Sequence, residues 1–175
     1  MKGYEETWAE LEAKALTALA SPQLVGGLPL PTGYKLSLRL WMFESFGDYR
    51  SWNFYRPLIS SEYHPIFLLK TVWQRHEDSR RFALPDVGIK HLDKFKPIPT
   101  LSFSDRSVGF ELLQRCLDEA NLVLQHVRSV ARLPITIDGV GFGIEVFTDS
   151  ESEKVEWNSG LPAGDALLDV LAGLL

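Results

Sequence analysis

From Tyr34 to Phe43 the chain alternates with a period of two, and both sides of the alternation carry bulk. Tyr34, Leu36, Leu38, Leu40 and Met42 fall on one side of an extended strand, with Lys35, Ser37, Arg39, Trp41 and Phe43 on the other. Gly47-Asp48 then reads as a turn, and SWNFYRPLI as the returning strand, with Pro57 assigning it to a sheet edge or to the end of a strand. Residues 41 to 55 hold seven rings, Trp41, Phe43, Phe46, Tyr49, Trp52, Phe54 and Tyr55, with Arg50 between them and Arg56 after them. A hairpin so loaded buries both faces only if a further layer covers each. Rings left uncovered, Trp41 and Trp52 foremost, would form a patch for a protein partner.

The rest of the chain supplies candidate layers. Trp8, Leu11, Ala15, Leu16 and Leu19 recur at helical spacing over residues 4 to 20, with acids near the start that suit the helix dipole, and Ser21-Pro22 ends the run. GGLPLPTG, residues 26 to 33, reads as an ordered crossing or linker. IFLLKTVWQ, residues 66 to 74, is a third strand, HEDSRR a charged turn, and residues 82 to 99, with three prolines, a long surface excursion. A helix is expected over about 105 to 130, where Leu113, Cys116, Leu117, Ala120, Val123, Leu124, Val127 and Val130 repeat at three and four, with Ser104 or Ser107 as its cap. Cys116 falls on that apolar stripe and reads as a small hydrophobe. SGLPAGDALLDVLAGLL starts a closing helix near Pro162, with Leu167, Leu168 and Leu171 facing inward.

Three alternate glycines in IDGVGFGIEVF, residues 137 to 147, raise the question of a phosphate loop. A dinucleotide fingerprint requires a third glycine where Ile144 stands, and a P-loop requires a lysine that is absent. Apolar parity switches at Asp138-Gly139, a favoured pair for a two-residue hairpin turn, so LPITI and VGFGIEVF are expected as its arms. TDSES turns the chain again and EKVEW makes a meander. Gly141 and Gly143 then share a face with Glu145, leaving a smooth channel in which a ring such as Trp157 would lie.

The expected architecture is a single α+β domain over residues 1 to 175: a largely antiparallel sheet of hairpin and meander units, packed against one long helix and the two terminal helices. With one cysteine no intrachain disulfide forms, and neither a signal-peptide pattern nor an apolar run of roughly 18 residues is present, so a cytoplasmic protein without membrane association is expected. The four histidines are scattered and no G-x-S-x-G elbow exists, so no catalytic residue, metal ligand or cofactor is assigned, and the chain is read as leaning away from an enzyme. Net charge hides a polarity. Residues 33 to 96 carry eleven Lys/Arg against seven acids, a net of +4, while residues 136 to 175 carry eight acids against Lys154, a net of −7. With a total of −5 and no RRM, KH or helix-turn-helix signature, nucleic acid is disfavoured as a partner.

The tail from about residue 133, with Asp138-Gly139, a strand, an acidic turn, a strand ending in Trp157, then Pro162 and a Leu-rich helix, resembles tails of small bacterial proteins that include immunity proteins of polymorphic toxin systems. Such tails often carry an aromatic after the proline, where this chain has Ala163-Gly164. The resemblance implies an inhibitor that binds and blocks a partner. The expected binding residues are Glu145, Asp149, Glu151, Glu153 and Glu156, whose charge would steer a basic protein, with Trp41 and Trp52 as anchors. Two alternatives stand beside it: a small-molecule-binding protein or enzyme with a pocket under the aromatic hairpin, and a structural subunit of a phage or secretion assembly.

Overall fold

A computed structural model describes residues 4–25, 32–59, 65–83, 97–129 and 139–158, together with Gly164, Ala166, Leu167, Asp169 and Val170. The period-two segments assemble into one six-stranded antiparallel sheet in the order β4-β3-β2-β1-β5-β6. Its strands are β1 (Tyr34–Glu44), β2 (Tyr49–Pro57), β3 (Ile66–Trp73), β4 (Leu101–Val108), β5 (Val140–Phe147) and β6 (Ser152–Asn158). Among the described residues it is accompanied by the helices α1 (Tyr4–Ala20), α2 (Pro22–Val25), α3 (Arg75–Ala83) and α4 (Phe110–Ser129). The fold is therefore α+β, with all the expected strands of residues 34 to 74 and 140 to 157 in a single sheet.

Each face of the sheet has its own core. On the first, Leu38, Leu40, Trp52, Phe54, Leu68, Phe142 and Ile144 pack under the apolar stripe of α4, formed by Leu113, Cys116, Ala120, Val123 and Leu124. Trp157 and Leu167 complete this core, and the described residues between 164 and 170 are helical, as the tail pattern requires. On the second face, Leu11, Ala15 and Leu19 of α1 meet Trp73 and Phe82, with Trp8, Phe43 and Tyr49 at the margin. Rings interlock there, Phe43 stacked on Tyr49 at 4.4 Å and Tyr49 edge-on to Trp73 at 5.3 Å. A fully buried leucine contributes roughly 1.5–3 kcal/mol, so Leu11 and Leu19 anchor α1 in its seat on the sheet. That seat is unusual: Ser51, Asn53 and Thr71 are all fully buried on the second face. Ser51 donates its hydroxyl to the Leu19 carbonyl at 2.8 Å, and Arg39 donates to the Ala20 carbonyl at 3.1 Å. The last turn of α1 has no basic residue of its own, so the sheet supplies the donors that its terminal carbonyls lack.

Several expectations change in the fold. The register of β1 against β2 shifts between Leu36 and Leu38, pairing Leu36 with Tyr55 but Leu38 with Phe54. Tyr34 and Leu36 therefore lie on the opposite face from Leu38, Leu40 and Met42, because a one-residue shift exchanges the faces. HEDSRR is not a turn but most of α3. The long helix starts at Phe110 rather than near 105, and the residues before it form β4, whose eight partners on β3 outweigh their polar composition. Ser104 and Ser107 are thus strand residues rather than caps. A short helix follows α1, with Pro22 at its first position, where the missing N–H costs nothing. Pro57 closes β2, an interior strand, at its end. LPITI lies outside the described residues, and both hydrogen-bonding edges of β5 are taken, by β1 and β6.

Asp78 ties α3 to the sheet. Its buried carboxylate accepts from Trp73 Nε1 at 2.7 Å, from the Thr100 N–H at 2.9 Å and from the Thr100 hydroxyl at 2.6 Å, and it pairs with Arg81 at 2.9 Å. Removing it strands a buried indole N–H and a backbone amide, so Asp78→Ala should lower the unfolding free energy by about 3 kcal/mol, read as a shifted urea midpoint.

Candidate functional site

Alternation makes the second face of β1, β5 and β6 a regular grid. Arg39, Glu145 and Lys154 form one cross-strand row; Trp41, Gly143 and Glu156 form the next; Phe43, Gly141 and Asn158 form the third. Helix α1 lies against β2 and β3, so this end of the face keeps an open flank. Along the boundary runs a groove of about 240 Å³, walled by Leu16, Leu19 and Ala20 of α1, floored by Trp41 and Phe43, and bounded by Arg39, Lys154 and Glu156.

The glycines explain the floor. A Cβ built on Gly143 would stand 2.0 Å from Cζ2 of Trp41, so the indole lies across bare backbone where any side chain would collide. The smooth channel expected beside Gly143 exists, but Trp41 fills it, not Trp157. Trp157 packs on the first face, stacked with Phe142 at 5.8 Å and backed by Gly164, whose Cβ would lie 2.7 Å from its Nε1. Two cations hold the Trp41 ring, the Arg39 guanidinium at 5.1 Å and the Lys154 ammonium at 5.2 Å from its centroid. Gly141 is different, since its nearest neighbours to a built Cβ stand at 3.8 Å.

The two anchors expected to be exposed are both buried, because each face of the hairpin is covered. Trp52 is 2% exposed inside the first core and Trp41 is 7% exposed under the groove. Trp41 lines the groove, while Trp52 borders only a much smaller recess among Met42, Phe142 and Trp157. Among the described residues the large aromatic side chains that stand exposed are instead Phe46, on the β1–β2 turn, and Phe110, at the start of α4. Their signal in the sequence was position: one lies in a turn and the other at a helix start, where no periodic face is built.

The five acids are not assembled into one bare surface. Glu145 pairs with Arg39 and accepts from the Ser152 hydroxyl at 2.9 Å. Asp149 pairs with Lys35, and with Arg56 at 3.2 Å; its hydrogen bond from Lys35 is the main reason its carboxyl is held below the usual range. Glu153 pairs with Arg128 of α4, and Glu156 with Lys154 at 2.7 Å. Glu151 sits exposed on the β5–β6 turn, where its carbonyl accepts from Thr148. Glu145 and Glu156 face the groove side of the sheet, whereas Glu153 lies toward α4.

Cys116 is fully buried in the first core, and burial pushes its thiol up to about 11, an effect that Arg115 opposes and Glu119 reinforces. Among the described residues no group of three metal-ligating side chains forms, and no helix is long and apolar enough to cross a membrane. Comparison with family models, with curated proteins and with solved structures found no match.

Two measurements follow from this geometry. Gly143→Ala should cost about 2 kcal/mol through its collision with Trp41, while Gly141→Ala stays within about 0.5 kcal/mol, both from denaturant unfolding. Because the Cys116 thiol becomes thiolate only toward about pH 11, it should resist disulfide reagents at pH 8 in the native protein and react at the rate of a free thiol in urea.

Proposed function

We propose that this protein is a binding module that holds a segment of a protein partner in the groove between α1 and β6, as an inhibitor of the immunity type would. The observation that carries this reading is the groove itself, an apolar recess of about 240 Å³ on the flank of the sheet that α1 leaves open. Small-molecule sites commonly enclose roughly 300–1,000 Å³, so this recess suits one anchoring side chain of a larger partner better than a whole ligand. Its rigid aromatic floor resembles the pockets that receive interface anchors.

Charge supports a basic partner. Residues 140 to 158 hold Glu145, Asp149, Glu151, Glu153 and Glu156 against Lys154. Although four of these acids meet cations within the fold, Glu151 on the β5–β6 turn and the solvent-facing pair of Lys154 and Glu156 at the rim remain open to solvent, where charge acts on the association rate more than on affinity.

The test is capture from the source lysate with the wild type and with Ala20→Tyr, which fills the groove from α1. A stoichiometric partner retained by the wild type and lost with the variant, at unchanged thermal stability, is expected; equal retention by both would overturn the groove as the binding site. Glu151→Lys with Glu156→Lys should slow association several-fold at low salt and little at high salt. A small molecule retained in native mass spectra and expelled by Ala20→Tyr would replace the protein partner with a metabolite.

A further inference from the structure

The basic half of the chain meets two fates in the fold. Lys35, Arg39 and Arg56 are taken by Asp149 and Glu145. Arg50 and Lys70 lie elsewhere, on the first face of the sheet, where they are joined by Arg106 of β4. The register sets Trp52, Lys70 and Ser104 in one cross-strand row, Arg50, Val72 and Ser102 in the row on one side, and Leu68 with Arg106 in the row on the other. Lys70 is thus diagonal to both arginines, at roughly 7–8 Å between strand positions, within reach of long side chains.

This corner lies at the margin of the apolar cluster under α4, beside its members Trp52 and Leu68. Ser102, Ser104 and Arg106 are exposed. Arg50 donates to Glu44 at 2.8 Å, but among the described residues neither Lys70 nor Arg106 has an acidic partner. The Lys70 ammonium lies 5.9 Å from the Trp52 ring centroid, and the buried indole N–H of Trp52 is without a hydrogen-bond partner. Desolvation first, then Arg50 and Arg106, pull the Lys70 pKa down, so the fold holds its charge at a cost. Lys70 and Arg106 on neighbouring strands, with the exposed Ser104 hydroxyl in the row of Lys70, are what an oxyanion would relieve: a guanidinium offers paired donors to phosphate, an ammonium a point charge, and serine a further hydrogen bond.

We propose that Lys70 and Arg106, with Ser104 between them and Arg50 behind, form a binding site for a single phosphoryl group, supplied either as inorganic phosphate or as a small phosphomonoester. The site is on the opposite face of the sheet from the groove beside Trp41, so it stands or falls independently of the partner reading.

The experiment is amide NMR on the full chain, titrated with sodium phosphate and, at matched ionic strength, with sodium chloride. Saturable shifts centred on Lys70, Ser104 and Arg106, weakened roughly tenfold in apparent affinity by Lys70→Met with Arg106→Gln, are expected. The native spectrum of the double variant away from the corner serves as the folding control. Tighter saturation by glycerol phosphate than by inorganic phosphate would assign the site to an organic ester, and equal saturation to the free anion. Linear shifts, shifts that chloride reproduces, or shifts unchanged in the double variant would overturn the proposal. So would a single-stranded oligonucleotide whose binding phosphate does not displace, since that makes the corner part of a polyanion surface.

Discussion

Everything in this fold depends on β1 being buried from both sides. Leu38, Leu40 and Met42 enter the core under α4, while Trp41 and Phe43 point the other way. A strand with large apolar groups on both faces is stable only at the centre of a covered sheet, and β1 occupies that place, with β2 on one edge and β5 on the other. The two helical layers follow from this. One is α4, with a strong apolar stripe; the other is α1, which brings few large side chains and relies on Ser51 and Arg39 to satisfy its last carbonyls.

The central position of β1 also brings together the two charged halves of the chain. Arg39 and Glu145 are 106 positions apart in sequence yet lie side by side, since β1 and β5 are neighbours. Lys35 and Arg56 converge in the same way on Asp149, beyond the end of the β1–β5 ladder. Much of the acidic character of the C-terminal region is therefore spent inside the fold. Acidic charge remains at the rim of the groove and on the β5–β6 turn, while among the described residues Lys70 and Arg106 stand on the other face without an acidic partner.

The groove beside Trp41 is a product of unequal coverage. Helix α1 spans β2 and β3, and the absent side chains of Gly141 and Gly143 keep the face low beside it. Without Gly143 the indole could not lie on β5, and without Arg39 and Lys154 its ring would lack the two cations that lie over it. The floor and its border thus draw on three strands at once: rings and Arg39 from β1, bare backbone from β5, and Lys154 with Glu156 from β6.

The sequence by itself determined the α+β class, α1 to the residue, the three strands between 34 and 74, the stripe of α4, the turn at 148 to 151 and the burial of Cys116. These rest on local periodicity and turn chemistry, which act between near neighbours and are written directly in residue order. It misplaced β4 and α3, because LSFSDRSV and HEDSRR are polar and owe their conformation to β3 and to the four contacts of Asp78. Of the residues that line the groove it had singled out Trp41 and Glu156 but not Leu16, Ala20 or Lys154, and it could not tell that Trp52 is buried in a core. Only the tertiary structure decided which ring lies on Gly143, which acids are neutralised and where Lys70 meets Arg50 and Arg106. Each of these is set by strand order and register, and a pairing between distant segments is fixed by the burial of whole faces rather than by any local pattern.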